Sequence, residues 1–258
     1  MKKLVITCIM LVFAFSAVFA QKKQPYKPGE KIKYQIRYGI LSGGVASLEL
    51  KEEIWRDKKV WHGVLSGQTT GIADAMYKVR DTYETFINPY TDLPVFSIRN
   101  ISEGHYKKYN EVSFDHHTRA DSAILMSDLS GQHITQQGIL DVLSCFYWFR
   151  KYNLANIDTL KPGDIFTMTT WFADELYPII LRYKGIEYIK IKGGKVKCYC
   201  FNPVTEVGRL FKTSDDMSVW FTTDENFLPV KVRFDIFVGS VYVDMIHYEG
   251  LTKPIVYN

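Results

Sequence analysis

Three acidic side chains, Asp74, Asp81 and Glu84, lie close together in the sequence and offer carboxylates for acid–base chemistry. Glycoside hydrolysis needs two such carboxyl groups on either side of the bond that is cleaved. The same residues are equally typical of the solvent-facing side of a strand, where alternate side chains point outwards. Paired carboxylates therefore predict a hydrolase only as an alternative function.

Ligand types suited to a metal ion cluster further along the chain, where His105, His116 and His117 lie near Asp115 and Asp121. Neighbouring strand residues point to opposite faces, so the two adjacent histidines cannot easily converge on one ion. The stretch DHHTR is also typical of a polar turn between two strands. We predict a turn here and no metal site.

Cys198 and Cys200 stand two residues apart in a predicted strand, so they share one face with Cα atoms about 6.6 Å apart. This distance is at the limit of disulfide geometry. Two thiolates could hold a metal ion, but no second Cys or His pair has a matching spacing. We predict that both cysteines are buried apolar side chains, with no disulfide and no structural metal.

A serine nucleophile usually lies in a glycine-flanked elbow. Ser66 lacks the preceding glycine, and Ser240 lacks the following one. His62 and His247 are isolated in the sequence and are typical of ordinary core or surface residues. No catalytic, cofactor-binding or metal-binding residue is therefore predicted, and no cofactor.

Residues 135–153 form the one stretch whose apolar spacing predicts a long helix. Thr135 is the expected N-cap, Asp141 lies in the early turns, and Arg150 and Lys151 lie near the end, where the helix dipole favours them. The apolar side chains that fall on one helical face are Ile139, Val142, Leu143, Phe146 and Phe149. The opposite face is apolar too, which indicates a helix buried between layers.

The first 20 residues have the pattern of a secretory signal peptide, with two lysines, an apolar run and a small residue at its end. Cleavage is expected between Ala20 and Gln21. A retained membrane anchor is the rival interpretation, but the apolar run is short for a span. We therefore predict an exported protein, periplasmic or associated with the outer membrane.

Removal of 20 residues from 258 leaves 238, and loss of Lys2 and Lys3 lowers the formal net charge from +4 to +2. This small charge favours neither nucleic acid nor acidic membranes. No later stretch is long and apolar enough to cross a bilayer as a helix. We predict one β-rich domain over residues 21–258.

Alternation of apolar and polar residues predicts many short strands joined by turns. Residues 31–38, KIKYQIRY, show this alternation clearly. The strands predicted after it are 45–54, 60–66, 76–87, 95–101, 105–114, 122–126, 165–172, 176–183, 186–192, 195–201, 206–213, 217–223, 229–238 and 241–248. The fold class is therefore mainly β, an antiparallel meander curved into a barrel or sandwich around one central helix.

The chain resembles itself across this helix. The turn KPGE at 27–30 recurs as KPGD at 161–164, and LPV at 93–95 recurs at 228–230. Because both pairs stand at nearly one offset and in the same order of strands, we predict an internal duplication. The two similar halves would be residues 27–115 and 161–249.

The opening and closing strands carry a resemblance to a known family. Its opening pattern is matched by Pro28, Gly29, Glu30, Tyr34, Ile36, Tyr38, Gly39, Gly43, Gly44 and Ala46, and its closing strands by Leu228–Val230 and Val238–Ser240. These motifs resemble those of an exported bacterial family classed as a domain of unknown function. The resemblance implies a β-rich envelope protein, similar to the barrel of group 4 capsule accessory proteins (YmcC-like) and more distantly to lipoprotein carriers. It implies no catalytic residues.

The sequence thus supports two function hypotheses. The first is a non-enzymatic binding or assembly factor of the cell envelope for a lipid, a glycan or a partner protein, without nucleic acid and without a transmembrane segment after signal cleavage. The alternative is an envelope hydrolase that uses Asp74, Asp81 or Glu84. Two carboxylates converging in a deep pocket would favour the enzyme, whereas an aromatic-lined groove without paired titratable groups would favour binding.

Overall fold

A computed structural model describes residues 24–154, 159–204, 216–236 and 239–258, with the side chains of 153 and 154 excepted. The predicted signal peptide and the predicted strand 206–213 lie outside these residues. The strands are β1 Lys31–Tyr38, β2 Leu41–Trp55, β3 Lys58–Thr69, β4 Arg80–Ile87, β5 Pro94–Glu103, β6 Tyr106–Asp115, β7 Ser122–Ser127, β8 Gly131–Gln136, β9 Leu140–Asp141, β10 Ile165–Phe172, β11 Glu175–Ile191, β12 Gly194–Pro203, β13 Met217–Thr222, β14 Pro229–Asp235 and β15 Ser240–Glu249. The helices are α1 Gly71–Met76 and α2 Val142–Leu154, and neither reaches the length and hydropathy of a membrane-spanning segment in these ranges.

All strands belong to one 15-stranded sheet that runs from β8 back to β1, across to β15 and then down to β9. Neighbouring strands pair in antiparallel fashion, except that β9 lies parallel to β10. The sequence prediction of a mainly β antiparallel meander is confirmed. Its two edges, β8 and β9, are not paired with each other in the part of the chain that is described, so the sheet is not closed.

The long helix begins seven residues later than predicted, because the first residues of the predicted helix pair with a neighbouring strand instead. Thr135 lies in β8 opposite Ala123, and Gly138 turns the chain with φ +75°. Asp141 is the actual cap, since its carboxylate accepts the backbone N–H groups of Leu143 (2.8 Å) and Ser144 (3.0 Å). A carboxylate at this place satisfies amides that have no partner within the helix.

Helix α2 lies inside the curved sheet, as the apolar surface of its sequence predicts. Leu143 and Tyr147 pack into a cluster with β1, β2 and β12, while Cys145 and Phe149 pack into a second cluster with β10, β11 and β13. The helix is therefore covered by strands from both parts of the chain.

Two further predictions need correction. The predicted strand 76–87 is divided between the end of α1 and β4, because GIADAM forms a short helical turn first. The predicted strands 176–183 and 186–192 are one continuous strand, β11. The turn expected between them is only a bulge, where Gly185 adopts φ +130°.

The two KPG turns have the same hydrogen-bond pattern. The backbone N–H of Gly29 donates to the carbonyl of Leu50 (2.7 Å), and that of Gly163 donates to the carbonyl of Tyr183 (2.8 Å). Both glycines have positive φ, +97° and +101°. Each turn therefore ties the start of its first strand to the strand that follows.

The LPV elements also occupy similar places. Pro94 is the first residue of β5 and Pro229 is the first residue of β14, as expected for a residue that cannot donate a ladder hydrogen bond. Each is the fifth strand after its KPG turn. These features agree with an internal duplication, which stays a prediction until residues 27–115 are superposed on 161–249.

A buried ion pair joins α2 to the segment before β1, and the same arginine also reaches the turn between β13 and β14. Arg150 forms two hydrogen bonds with the Glu30 carboxylate (2.5 and 2.9 Å), and neither side chain is more than 1% exposed. The same guanidinium donates to the carbonyls of Pro25 (3.3 Å), Asn226 (2.9 Å) and Phe227 (3.2 Å). Its charge is thus fully surrounded by acceptors, which is the condition under which a buried charge is tolerated.

Candidate functional site

A cavity of about 410 Å³ lies between α2 and the inner face of the sheet. Phe146 and Phe149 of the helix form one wall, and strands β1–β4, β10, β11 and β13–β15 form the others. Apart from Cys145 and two tyrosines, its described lining side chains are hydrocarbons or thioethers. One of the tyrosines, Tyr34, is satisfied by the carbonyl of Pro229 (3.0 Å). The cavity therefore offers contact area and almost no hydrogen bonds.

One end of the cavity is more accessible than the other. On β2, Leu48 is buried and Ala46 is half-buried; on β14, Pro229 is buried and Val232 is half-buried. The accessible ends of these strands lie towards the β1–β2 turn, helix α1 and the β10–β11 turn. We call this the open end of the sheet.

The opposite end is filled by aromatic side chains. The Tyr26 ring lies 5.0 Å from that of Tyr147 and 6.0 Å from that of Trp61, both in edge-to-face arrangement. Tyr147 also lies so close to Gly63 that a β-carbon there would come within 2.9 Å of the ring. With the Arg150 ion pair beside it, this packing closes the cavity at its inner end.

A polar recess of about 30 Å³ adjoins the apolar cavity and shares Tyr83 and Phe172 with it. Arg99, Asn110 and Asp141 line this recess. The Arg99 guanidinium lies 4.7 Å from the centre of the Phe172 ring. Burial raises the pKa of Tyr83, and the nearby arginine opposes that shift. The polar recess beside the apolar cavity thus holds one arginine, Arg99, together with the carboxyl groups of Glu84 and Asp141.

The three carboxylates that the sequence singled out do not form a common site. Asp74 pairs with Arg80 (2.7 Å), Asp81 accepts a backbone N–H of β5 (3.0 Å), and Glu84 contacts His62 (2.7 Å). Each has a different partner; Glu84 lines the polar recess, and none of the three lines the large cavity. The arrangement does not supply the acid and base of a hydrolase from these three residues.

The sequence did not reveal a further pair of neighbouring carboxylates, Asp81 and Glu103. Glu103 lies near Asp81. Burial raises the pKa of Glu103, and the negative charge of the neighbouring Asp81 raises it further. The two residues come from adjacent strands, β4 and β5, so only the strand register could have revealed the pair. Neither residue lines the large cavity.

His62 is isolated in the sequence but has two partners in the structure. Its ring nitrogens lie 3.1 Å from Glu53 and 2.7 Å from Glu84, and its ring stacks on Phe86 at 4.2 Å. It is thus a satisfied side chain, as the sequence suggested. His247 is exposed and lies 4.0 Å from a carboxylate oxygen of its own strand.

The predicted polar turn at DHHTR is confirmed. The Asp115 carboxylate accepts the backbone N–H groups of His117 (2.8 Å) and Thr118 (3.0 Å). The Thr118 hydroxyl, followed by these two backbone groups, lowers the pKa of Asp115 to about 2. His116 points the other way, near Phe114, and burial lowers its pKa. His117 therefore belongs to a polar turn, and His116 lies at the edge of the core.

Cys198 and Cys200 are buried on β12, as predicted from their spacing, with exposed fractions of 0% and 3%. Both are free thiols. Burial raises the pKa of each to about 12, which makes them unreactive at neutral pH. Among the residues that the structure describes, no three His, Cys, Asp or Glu side chains are grouped to hold a metal ion.

The hydroxyl groups of the two serines considered as nucleophiles form hydrogen bonds with other side chains. Ser66 shares a hydrogen bond with Ser47 on the neighbouring strand (2.9 Å). Ser240 donates to Asp235 (2.6 Å). Neither lies in the strand-to-helix elbow of a serine hydrolase.

Comparisons with known proteins agree with this picture of the fold. The chain is similar to the crystal structure of a beta-barrel-like protein of the domain of unknown function DUF1849 from Brucella abortus, with 10% sequence identity and a TM-score of 0.57. The match covers 85% of this chain and 96% of that one, and at this identity it shows the fold alone. A search of curated proteins gave no match.

A family comparison gives the relationship that the opening and closing motifs suggested. Residues 33–246 match the family described as "Protein of unknown function (DUF3108)". The expectation of an unknown-function family with a barrel-like fold is thereby confirmed. Because the match spans most of its length, this chain belongs to the DUF3108 family.

Proposed function

We propose that the protein is a non-enzymatic binding protein that holds the apolar part of a lipid in the cavity between α2 and the sheet. The observation that carries this proposal is the cavity itself, about 410 Å³ in volume and lined almost entirely by apolar side chains. Ligand pockets commonly have volumes of about 300–1,000 Å³, largely apolar walls and a few polar groups. Arg99 and Tyr83 in the adjoining recess are such groups, suited to the polar end of an amphiphile.

A lipid fits these walls better than the other ligands considered. A glycan would bring many hydroxyl groups, and a peptide segment would bring backbone amides, each of which needs a partner when buried. The cavity offers the hydroxyl of Tyr34, which is already bonded to Pro229, and that of Tyr83 at its edge. An acyl chain has no polar group that needs a hydrogen-bond partner in such a site.

Binding is also favoured over the alternative, an envelope hydrolase. Asp74, Asp81 and Glu84 are bound to separate partners, and none of them lines the large cavity. The Asp81 and Glu103 pair lies outside it as well. A hydrolase would need its acid and base on both sides of a bound substrate.

The cellular location is part of the proposal. The N-terminal pattern of two lysines and an apolar run indicates export with cleavage after Ala20. A periplasmic or outer-membrane-associated protein of this kind would meet lipids at a membrane surface. N-terminal sequencing should find Gln21 first in a periplasmic fraction, and an intact Met1 in a membrane pellet would contradict export with cleavage.

A variant in which a larger side chain fills the cavity tests the binding function directly. Ala46→Phe adds a ring on the cavity side of β2, whereas Val45→Phe adds the same ring on the opposite face of the same strand. The fluorescent fatty acid cis-parinaric acid should bind the unchanged protein and Val45→Phe alike. Its affinity for Ala46→Phe should fall about tenfold or more, because the ring occupies the space that the acyl chain needs.

Two results would overturn the proposal. One is parinaric acid binding that Ala46→Phe leaves unchanged while the variant keeps the unfolding midpoint of the parent protein. The other is a protein that is purified from its native envelope without detergent, yields no lipid by mass spectrometry and takes up none of the probe.

A further inference from the structure

We propose that the open end of the sheet docks on the surface of an anionic phospholipid bilayer, with the side chains of the β1–β2 turn and helix α1 inserted among the lipids. This inference rests on the proposed function, since it places the cavity mouth against a membrane. Four aliphatic side chains carry it. The exposed fractions are 94% for Ile40, 66% for Leu41, 81% for Ile72 and 82% for Met76.

These side chains come from two segments that lie against each other. The backbone N–H of Thr70, just before α1, donates to the carbonyl of Gly43 in β2 (3.1 Å). A β-carbon at Gly43 would lie 4.0 Å from that of Ala73 in the helix. Helix α1 therefore rests on the start of β2, directly after the turn that carries Ile40. Single exposed aliphatic residues are ordinary, but a group of four at one end of a domain marks an interaction surface.

Helix α1 has no buried residue of its own. A helix of six residues is too short to be stable by hydrogen bonding alone, and most helices gain stability by burying an apolar face. Here the apolar side chains Ile72 and Met76 point away from the sheet. The segment thus has the composition of an amphipathic anchor whose apolar side lacks a cover within the described part of the chain.

The surface is continuous with the mouth of the cavity. The cavity residues Ala46 on β2 and Leu65 on β3 are half-buried, and both strands run from there to the segments that carry the exposed group. A lipid that leaves a bilayer at this place would enter the cavity without crossing water. A surface elsewhere on the molecule would not give this path.

The residues around the aliphatic group suit the region of lipid headgroups. Tyr77 and Tyr106 are 54% and 52% exposed, and Lys78 and Lys107 are exposed beside them. The Tyr77 hydroxyl and the Lys78 carbonyl bind the β5–β6 turn, so these segments form one surface. Tyrosines and lysines of this kind prefer the membrane interface, and the lysines attract anionic headgroups.

The small net charge of the chain favours no acidic membrane by itself, but Lys78 and Lys107 give this surface exposed cations that can meet anionic headgroups. Neither of the two lysines forms an ion pair in the part of the chain that the structure covers, so both stay available. The Asp74 carboxylate of α1 is neutralised by Arg80 at 2.7 Å. Asp81 and Glu103 also lie at this end, and the Asp81 carboxylate is held by the backbone N–H of Ser102 (3.0 Å).

Vesicle flotation tests the proposal on protein purified after export, with its N-terminus determined by mass spectrometry. Vesicles of phosphatidylethanolamine with phosphatidylglycerol should bind the protein more tightly than vesicles of phosphatidylcholine alone. Ile72→Asp and Met76→Asp should each weaken this binding about tenfold or more, because each puts a charge where an aliphatic side chain would enter the lipid. The matched control is Ile54→Asp, which changes a residue 70% exposed at the far end of β2 and should leave vesicle binding unchanged.

The outcomes separate this inference from the proposed function. All three variants should bind parinaric acid as the unchanged protein does, since none of these residues lines the cavity. The inference is wrong if the unchanged protein ignores the anionic vesicles, or if Ile54→Asp loses as much binding as Ile72→Asp. It is also wrong if sedimentation shows a dimer that Ile72→Asp dissociates, because the surface would then be covered by a second copy of this chain.

Discussion

Replacement of Arg150 by methionine should show how much of the fold depends on the buried ion pair with Glu30. Methionine keeps the length of the side chain and removes its charge and all five hydrogen bonds. The Glu30 carboxylate is then left inside the protein without a cation. Three carbonyl oxygens, those of Pro25, Asn226 and Phe227, lose a donor as well.

The expected loss of unfolding free energy is about 3–5 kcal/mol, the usual result of removing one partner from a buried pair. The exposed fractions of 0% and 1% place this pair firmly in that class. Lys31 and Glu49 form an ion pair of similar length (2.6 Å) whose side chains are 31% and 23% exposed. Lys31→Met should therefore cost much less than Arg150→Met, because water and salt screen exposed charges.

Urea unfolding followed by tryptophan fluorescence measures these losses, with the slope checked for each variant. Glu30→Gln combined with Arg150→Met should lose less than the sum of the single changes, by about 0.5–3 kcal/mol, because the second change removes the stranded charge. The reasoning is refuted if Arg150→Met costs no more than Lys31→Met. Strict additivity of the two single changes would refute it too.

Three further predictions concern the core and pH. Both Phe146 and Phe149 border the cavity, but the Phe149 ring is 2% exposed whereas the Phe146 ring is only half-buried. Phe149→Ala should therefore cost about 3–5 kcal/mol in urea unfolding and Phe146→Ala about 1–2 kcal/mol, and equal losses would contradict this difference in burial. Cys198 and Cys200, whose pKa values are raised to about 12, should react with a thiol reagent far more slowly in the folded than in the urea-unfolded protein, and equally fast labelling would contradict their burial. Because burial lowers the pKa of His116 in the fold, the unfolded chain takes up a proton first as the pH falls through about 6.5, so stability should decrease below that pH. His116→Gln should flatten this decrease, and an unaltered pH profile would show that another group causes it.

Local patterns predicted the strands well, and they failed where a tertiary contact decided the outcome. The alternation at 31–38 and 165–172 corresponds to β1 and β10 at the same residues, because one buried face imposes a period of two. Residues 135–141 carry a helical spacing but form strand and turn, since Thr135 finds a strand partner and Asp141 makes the better cap. The short helix α1 before β4 was not predicted, because a helix of six residues is too short to show a periodic apolar pattern.

The cavity could not be predicted from the sequence. Its lining runs from Tyr34 on β1 to Val243 on β15, and these residues meet only because the first and last strands pair. Most lining side chains are ordinary apolar residues of the strands or of α2 whose inward direction is predictable, but the gap that they border is not. The Asp81 and Glu103 pair was missed for the same reason, since it depends on how β4 and β5 are aligned.

The pairing of β1 with β15 also has a consequence for the order of folding. Lys31 lies opposite Glu249 and Tyr38 opposite Val241. This pairing therefore joins the first and the last of the described strands, which are far apart in the sequence. The hairpins on either side connect neighbouring strands and can form within microseconds, while the pairing of β1 needs β15, which is made much later. During synthesis or transport, β1 therefore has an unpaired edge for longer than any hairpin takes to form, and such an edge recruits other chains. We expect the yield of folded protein to be limited by the time that this edge stays open, and less by the stability of the finished sheet.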